Sequence, residues 1–220
     1  PGPAFHGTRV IIGGDGSWYD SVGGVAFVGS FGPNAVPCFV FSENGFGNND
    51  KTLADCINHE VGHTLGLTHM GRTPSEEYFA GHGTDPTSWA PIMGVGYSRN
   101  IVTWSKGEYE DSDNTTDELA VIASKINFRA DDHADDELSA TDLTVAPMVL
   151  SAEGLIQETE DVDYFQFTAG TGAFSLTIAT SLGSMLDIRA EIYDSDGNLV
   201  AFDNPAAEQG ASFEFESLLG

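Results

Sequence analysis

His59-Glu60-Val61-Gly62-His63-Thr64-Leu65-Gly66-Leu67-Thr68-His69 is the stretch from which the rest of the chain is read. His59 and His63 stand four residues apart, so on a helix they leave the same face one turn apart. Two imidazole nitrogens can then meet one metal ion. Leu53, Ile57, Val61 and Leu65 recur every fourth residue and predict the apolar stripe of that helix. Asn49 or Asp50 caps its start, and Gly66 suits a left-handed stop. Past Gly66 the chain turns and brings back His69 as a third ligand. Three neutral imidazoles leave one position open, the arrangement of a catalytic rather than a structural zinc site. Glu60, beside His59, is placed to take a proton from water held at that position. With average residue usage, such a string arises by chance in on the order of one chain in a million.

The segments around it read as a small α+β domain. Residues 8–13, 23–30 and 36–42 are short runs rich in Val and Phe, bounded by Gly and Pro, and predict three strands. Residues 70–100 are rich in Gly, Pro, Thr and Ser and read as irregular. A second helix is expected from a capping box of Thr115 and Glu118, with Leu119, Ile122 and Ile126 as its stripe. His82, His6 and His133 carry no motif.

Beyond Arg129 the character changes. The chain of 220 residues holds 34 acidic and 8 basic side chains, and only 9 of the acidic ones precede residue 107. Such a surface repels nucleic acid and anionic membranes and suits solubility in salty surroundings. The acidic stretch 131–137 opens an expected linker over 130–150 and reads as a solvated linker or a calcium-dependent joint. From 151 to 220 the helical period is gone. Phe174, Leu176 and Ile178 alternate, as do Leu186, Ile188, Ala190 and Ile192, and then Phe213 and Phe215. A turn signal at Asp194–Asn198 falls between them. This predicts an antiparallel β-sandwich.

Two cysteines, Cys38 and Cys56, exclude a disulfide-dense scaffold. One bridge or two buried thiols both remain open. No apolar run reaches the length of a membrane span. The chain opens on Pro1 without a Met, as expected of a processed or excised form.

The string at 59–69 resembles the extended zinc motif of the metzincin peptidases, H-E-x-x-H-x-x-G-x-x-H. These enzymes carry a Met-turn under the metal, and A-P-I-M-G-V-G-Y (90–97) supplies Met93 at the matching distance. The resemblance implies a zinc endopeptidase with His59, His63 and His69 as ligands. Glu60 would be its general base, and Met93 an apolar floor rather than a ligand. The runs G-G-V-A-F-V-G-S and C-F-V-F-S-E-N-G are similar to the adamalysin (reprolysin) branch. There the first of them edges the cleft and pairs with extended protein or peptide substrate. Gly24, Val25, Ala26, Phe27, Val28 and Gly29 would supply that edge.

The chain departs from that branch in having Met70-Gly71 after His69 where Asp is usual. Metzincin domains also hold more chain before the zinc helix than 58 residues, so 1–129 is expected to be either a compact form or N-terminally incomplete. Tyr97, four residues after Met93, is a candidate for lining the substrate pocket or for stabilising the transition state. In astacin- and serralysin-like enzymes a Tyr two residues after the Met does the latter.

The segments 154–169 and 186–199 resemble bacterial pre-peptidase C-terminal domains, β-sandwiches appended to secreted peptidases. The resemblance implies a secreted bacterial protein, with marine or halophilic origin suggested by its acidity. It also implies calcium, for which Asp161, Asp163, Asp194 and Asp196 are the candidate ligands. The competing expectation is an inactive metzincin scaffold whose sandwich binds matrix, carbohydrate or a partner protein. Glu60 argues against it, since a scaffold has little use for a general base.

Overall fold

A computed structural model describes residues 7–20, 22–44, 49–146 and 149–217. The chain is a mixed α+β molecule with mostly short strands, divided into two compact units. The first runs to Ile126 and includes Ser181–Met185; the second holds residues 127–180 and those from 186 onward.

In the first unit, strand β1 (Val10–Ile12) pairs parallel with β3 (Cys38–Val40). On its other side β3 pairs antiparallel with β2 (Gly24–Val25). The order β1-β3-β2 leaves β2 at an edge. Helix α1 (Asp50–Leu65) starts at Asn49, whose side chain accepts from Thr52 N, and ends at Gly66 with φ 110°. Its apolar stripe serves two cores. Leu53, Cys56 and Ile57 pack with Val10 and Val40 of the sheet. Val61 and Leu65 pack with Leu67, Met70, Ile92, Met93, Val102 and Ile122. The helix is therefore held at both ends by different partners, and its C-terminal half carries the histidines. Strands β4 (Trp89–Pro91) and β5 (Ile101–Thr103) form a parallel pair that supports Ile92 and Met93.

Two expectations are corrected here. Strand pairing stops at Val25, so Ala26–Gly29 is not part of the edge. The cause is the end of α1, whose last carbonyls need donors. Gly29 N donates to His63 O and Phe31 N to Thr64 O, which pulls the chain away from the sheet. Phe27 and Val28 are left 68% and 57% exposed. The second helix, α2 (Glu118–Ala123), is capped by Asp117, whose carboxylate accepts from Ala120 N. Thr115 and Glu118 form no capping box, because Glu118 turns inward and accepts from Ser105 N. Ile126 lies beyond the helix and is exposed.

Among the described residues, the regular elements of the second unit are short strands and a 3-10 turn at Glu137–Ser139. Strand β6 (Thr141–Asp142) is followed by β7 (Thr144–Ala146) and β8 (Val149–Ser151), which pair with each other antiparallel. Strand β9 (Phe165–Gln166) pairs parallel with β6. Strand β10 (Gly172–Ile178) is followed by β11 (Ala190–Tyr193), β12 (Leu199–Asp203) and β13 (Ala211–Ser217). β10 pairs antiparallel with β13 over seven residues, and β11 with β12. Leu176, Ile178, Ile192 and Phe215 pack around Ala190, Ala211 and Phe213. Leu186 and Ile188 precede β11 rather than belong to it.

The acidic stretch at 131–137 is tied down, not merely solvated. Asp132 accepts from Leu155 N and Asp135 from Val162 N. His133 is bonded to Thr141 and to the Glu153 carbonyl. No helix among the described residues is long and apolar enough to cross a membrane.

Candidate metal centre

The two helical histidines and His69 converge, with one ring nitrogen of each lying within 4.8 Å of the others. The other nitrogen of every ring is anchored. His59 Nδ1 lies 2.9 Å from Ile92 O, His63 Nδ1 2.9 Å from Leu67 O, and His69 Nδ1 3.0 Å from a Glu77 carboxylate oxygen. Carbonyl and carboxylate oxygens only accept, so each Nδ1 is the donor. In a neutral ring the remaining Nε2 is then a bare lone pair. Burial drives His59 down to about 4 and lowers His63, so both are neutral at pH 7. His63 Nε2 and His69 Nε2 stand 3.1 Å apart. Facing lone pairs repel, and a cation between them removes the conflict. The separation is close to the edge of ~3.3 Å of a tetrahedron with zinc–nitrogen bonds of about 2.0–2.1 Å. The donor set fits zinc.

Local sequence explains the placement. Gly66 stops α1 in the left-handed region, and Leu67 N closes the turn onto Gly62 O. Met70 N then donates to Met93 O, and Asn114 holds the His69 carbonyl. Met93 sits in a turn closed by Gly94 N to Pro91 O and is fully buried. A Cβ on Gly62 would stand 2.5 Å from Met93 Sδ, so glycine there lets the Met approach the helix between the histidines.

Glu60 is 5% exposed, and its Oε2 is buried with no protein partner. Buried polar atoms are nearly always satisfied, so an orphan oxygen marks a place for a missing partner. Burial raises its carboxyl to about 7, where a general base is effective. A cation beside it would pull that value down. Gly24 explains how Glu60 fits: a Cβ there would lie 2.6 Å from the Glu60 Oε1 and Cγ. The edge strand and the carboxylate are thus in contact, and glycine is the residue that permits it.

The remaining candidates fall as follows. Gly24 and Val25 are in the edge strand, whereas Ala26, Phe27, Val28 and Gly29 leave it. Tyr97 is bonded to the Cys56 thiol, and both groups are pushed up by burial, the thiol to about 12. Cys38 and Cys56 are buried free thiols. His82 packs on Trp89 instead of joining the cluster. Asp161 and Asp163 come together with Asp131, their carboxylate oxygens within 4.8 Å of one another. Asp194 does not join them. It accepts from Asp196 N and Asn198 N and serves a plain turn.

Sequence reading missed Gly62, Glu77 and Tyr78, and marked Asp131 only as part of an acidic stretch, not as the partner of Asp161 and Asp163. Glu77 and Tyr78 sit in an irregular loop with no spacing rule, and Asp131 lies 30 positions from its nearest partner in sequence. The Tyr78 ring lies 4.2 Å from His69 and 6.2 Å from His59, the position sought for Tyr97.

No known protein family, curated protein or solved structure matches this chain. What the centre does has to be argued from its own geometry.

Proposed function

We propose that the three imidazoles form a hydrolytic zinc centre. More particularly, the first unit acts as a metzincin-type endopeptidase with a β-sandwich appended, in a protein secreted by a bacterium. One observation carries this reading. Three Nε2 lone pairs meet, and Glu60, next to His59 in the chain, is buried with its Oε2 lacking a partner. Zinc held there supplies Lewis acidity, acidifying water and polarising the scissile carbonyl.

The chain's own residues do the rest. Glu60 accepts a proton at Oε2 and returns it to the departing amine. The free side of β2 offers backbone donors and acceptors to an extended peptide, with Gly24 placing that strand against Glu60. Met93 walls the imidazoles from below with a surface that competes for no metal.

The test is zinc content measured together with casein cleavage. The expected result is one zinc per chain, cleavage abolished by a chelator, and recovery on adding zinc. Zinc retained without cleavage of any peptide in a library would favour a binding module. Protein that takes up no zinc would remove the centre itself.

A further inference from the structure

We propose that Glu77 is a positioning residue for the metal centre, fixing the tautomer and the aim of His69. This rests on the zinc reading above. The three histidines are anchored unequally. His59 and His63 give their Nδ1 protons to backbone carbonyls at Ile92 and Leu67, which no side-chain substitution removes. His69 alone depends on a side chain, the carboxylate of Glu77 at 3.0 Å.

The loop carrying Glu77 is built to bring it there. Arg72 N donates to Glu76 O and Glu76 N to Arg72 O, and Phe79 N donates to Met70 O, so the loop closes directly after His69. Gly71 allows the closure. A Cβ there would lie 2.2 Å from Glu76 O and 2.8 Å from Glu77 O, both backbone atoms that cannot swing aside. Asp113 accepts from Gly71 N and fixes the loop's base. Tyr78 lays its ring against His69 and shares a hydrogen bond with Glu77, so the carboxylate is held from two sides. The loop thus supplies a charged partner for the one ligand that the helix does not carry. A carboxylate behind an imidazole fixes its orientation and strengthens it as a ligand.

Zinc affinity, read by competition with a chromogenic chelator, tests this in the wild type, Glu77→Gln and Glu77→Ala. Glu77→Ala is expected to weaken zinc binding roughly 10- to 100-fold. Gln keeps an acceptor without the charge and should fall between. Hydrolysis by Glu77→Ala should be lost at limiting zinc and recovered with excess zinc, and its cobalt(II) absorption should shift. The Glu77 side chain is 68% exposed, so the fold tolerates its removal, and an unchanged melting temperature of the apoprotein checks this. Wild-type affinity and spectrum in Glu77→Ala would overturn the role of Glu77 alone. A wild type that binds no zinc would overturn the metal reading with it.

Discussion

Among the described residues, two clusters of candidate ligand atoms form, one in each unit, and they differ in how their charge is prepared. At His59, His63 and His69 the ligand atoms are ring nitrogens, and the Nδ1 of each ring is committed to an acceptor. At Asp131, Asp161 and Asp163 the candidate ligand atoms are carboxylate oxygens. Asp163 is pushed up to about 6 by burial first and then by Asp161 and Asp132. Oδ1 of both Asp161 and Asp163 is buried without a protein partner. Imidazole nitrogens suit zinc, and carboxylate oxygens suit calcium. A cation at the first cluster would meet nitrogens already aimed, and one at the second would meet buried oxygens that lack a partner. The first is therefore expected to govern turnover and the second stability.

Glu60→Gln should break the comparison hardest. The amide cannot accept the proton, so turnover should fall roughly 10²- to 10⁴-fold. Zinc content should stay at the wild-type level, because Glu60 is not a ligand. Activity kept in Glu60→Gln would end its role as base. Next in size is Gly24→Ala. The added methyl displaces the Glu60 carboxylate while every ligand stays in place, and a misplacement near 1 Å costs about 10²-fold. Turnover numbers measured at saturating zinc would show this. An unchanged value would mean that Glu60 has room the geometry does not suggest.

The second cluster is read through melting. Millimolar calcium should raise the melting temperature of the wild type by a few degrees, roughly the effect of 1 kcal/mol in a chain of this size. Asp163→Asn should remove the response without touching zinc content or turnover. An equal rise in both proteins would show that the carboxylates hold no ion.

The two clusters were also unequally legible. Spacing on α1 and the stop at Gly66 are local rules, and both act within 11 residues, so His59, Glu60, His63 and His69 could be read directly. Met93 needed a resemblance, since its distance along the chain has no physical rule. Asp161 and Asp163 were visible as acids, but their partner Asp131 arrives through loop folding that no period encodes. The first strands were seen, but their ends were misplaced. Composition marks Ala26–Gly29 as strand-like, while the unpaired carbonyls of α1 claim its backbone. Glu118 was misread for a related reason: Ser/Thr-x-x-Glu fits a capping box, yet burial against Ser105 decided otherwise.

Glu118 supplies the most local effect. It is 1% exposed, with Oε2 accepting from Ser105 N and Oε1 unpartnered. Burial raises its carboxyl from 4.5 to about 8. The unfolded chain releases this proton near 4.5 and the folded one only near 8. Between those values the native state binds more protons, so stability falls as pH rises. The contribution is complete below about 4.5 and gone above about 8. Glu118→Gln keeps the acceptor for Ser105 and cannot ionise. Melting temperatures at pH 5 and pH 8.5, taken with zinc bound, should fall more steeply in the wild type than in the variant. Glu60 and Asp163 act with the same sign in both proteins, so the difference between the two slopes isolates Glu118. Parallel slopes would mean that Glu118 is already ionised in the native state, with its charge met by a donor other than Ser105.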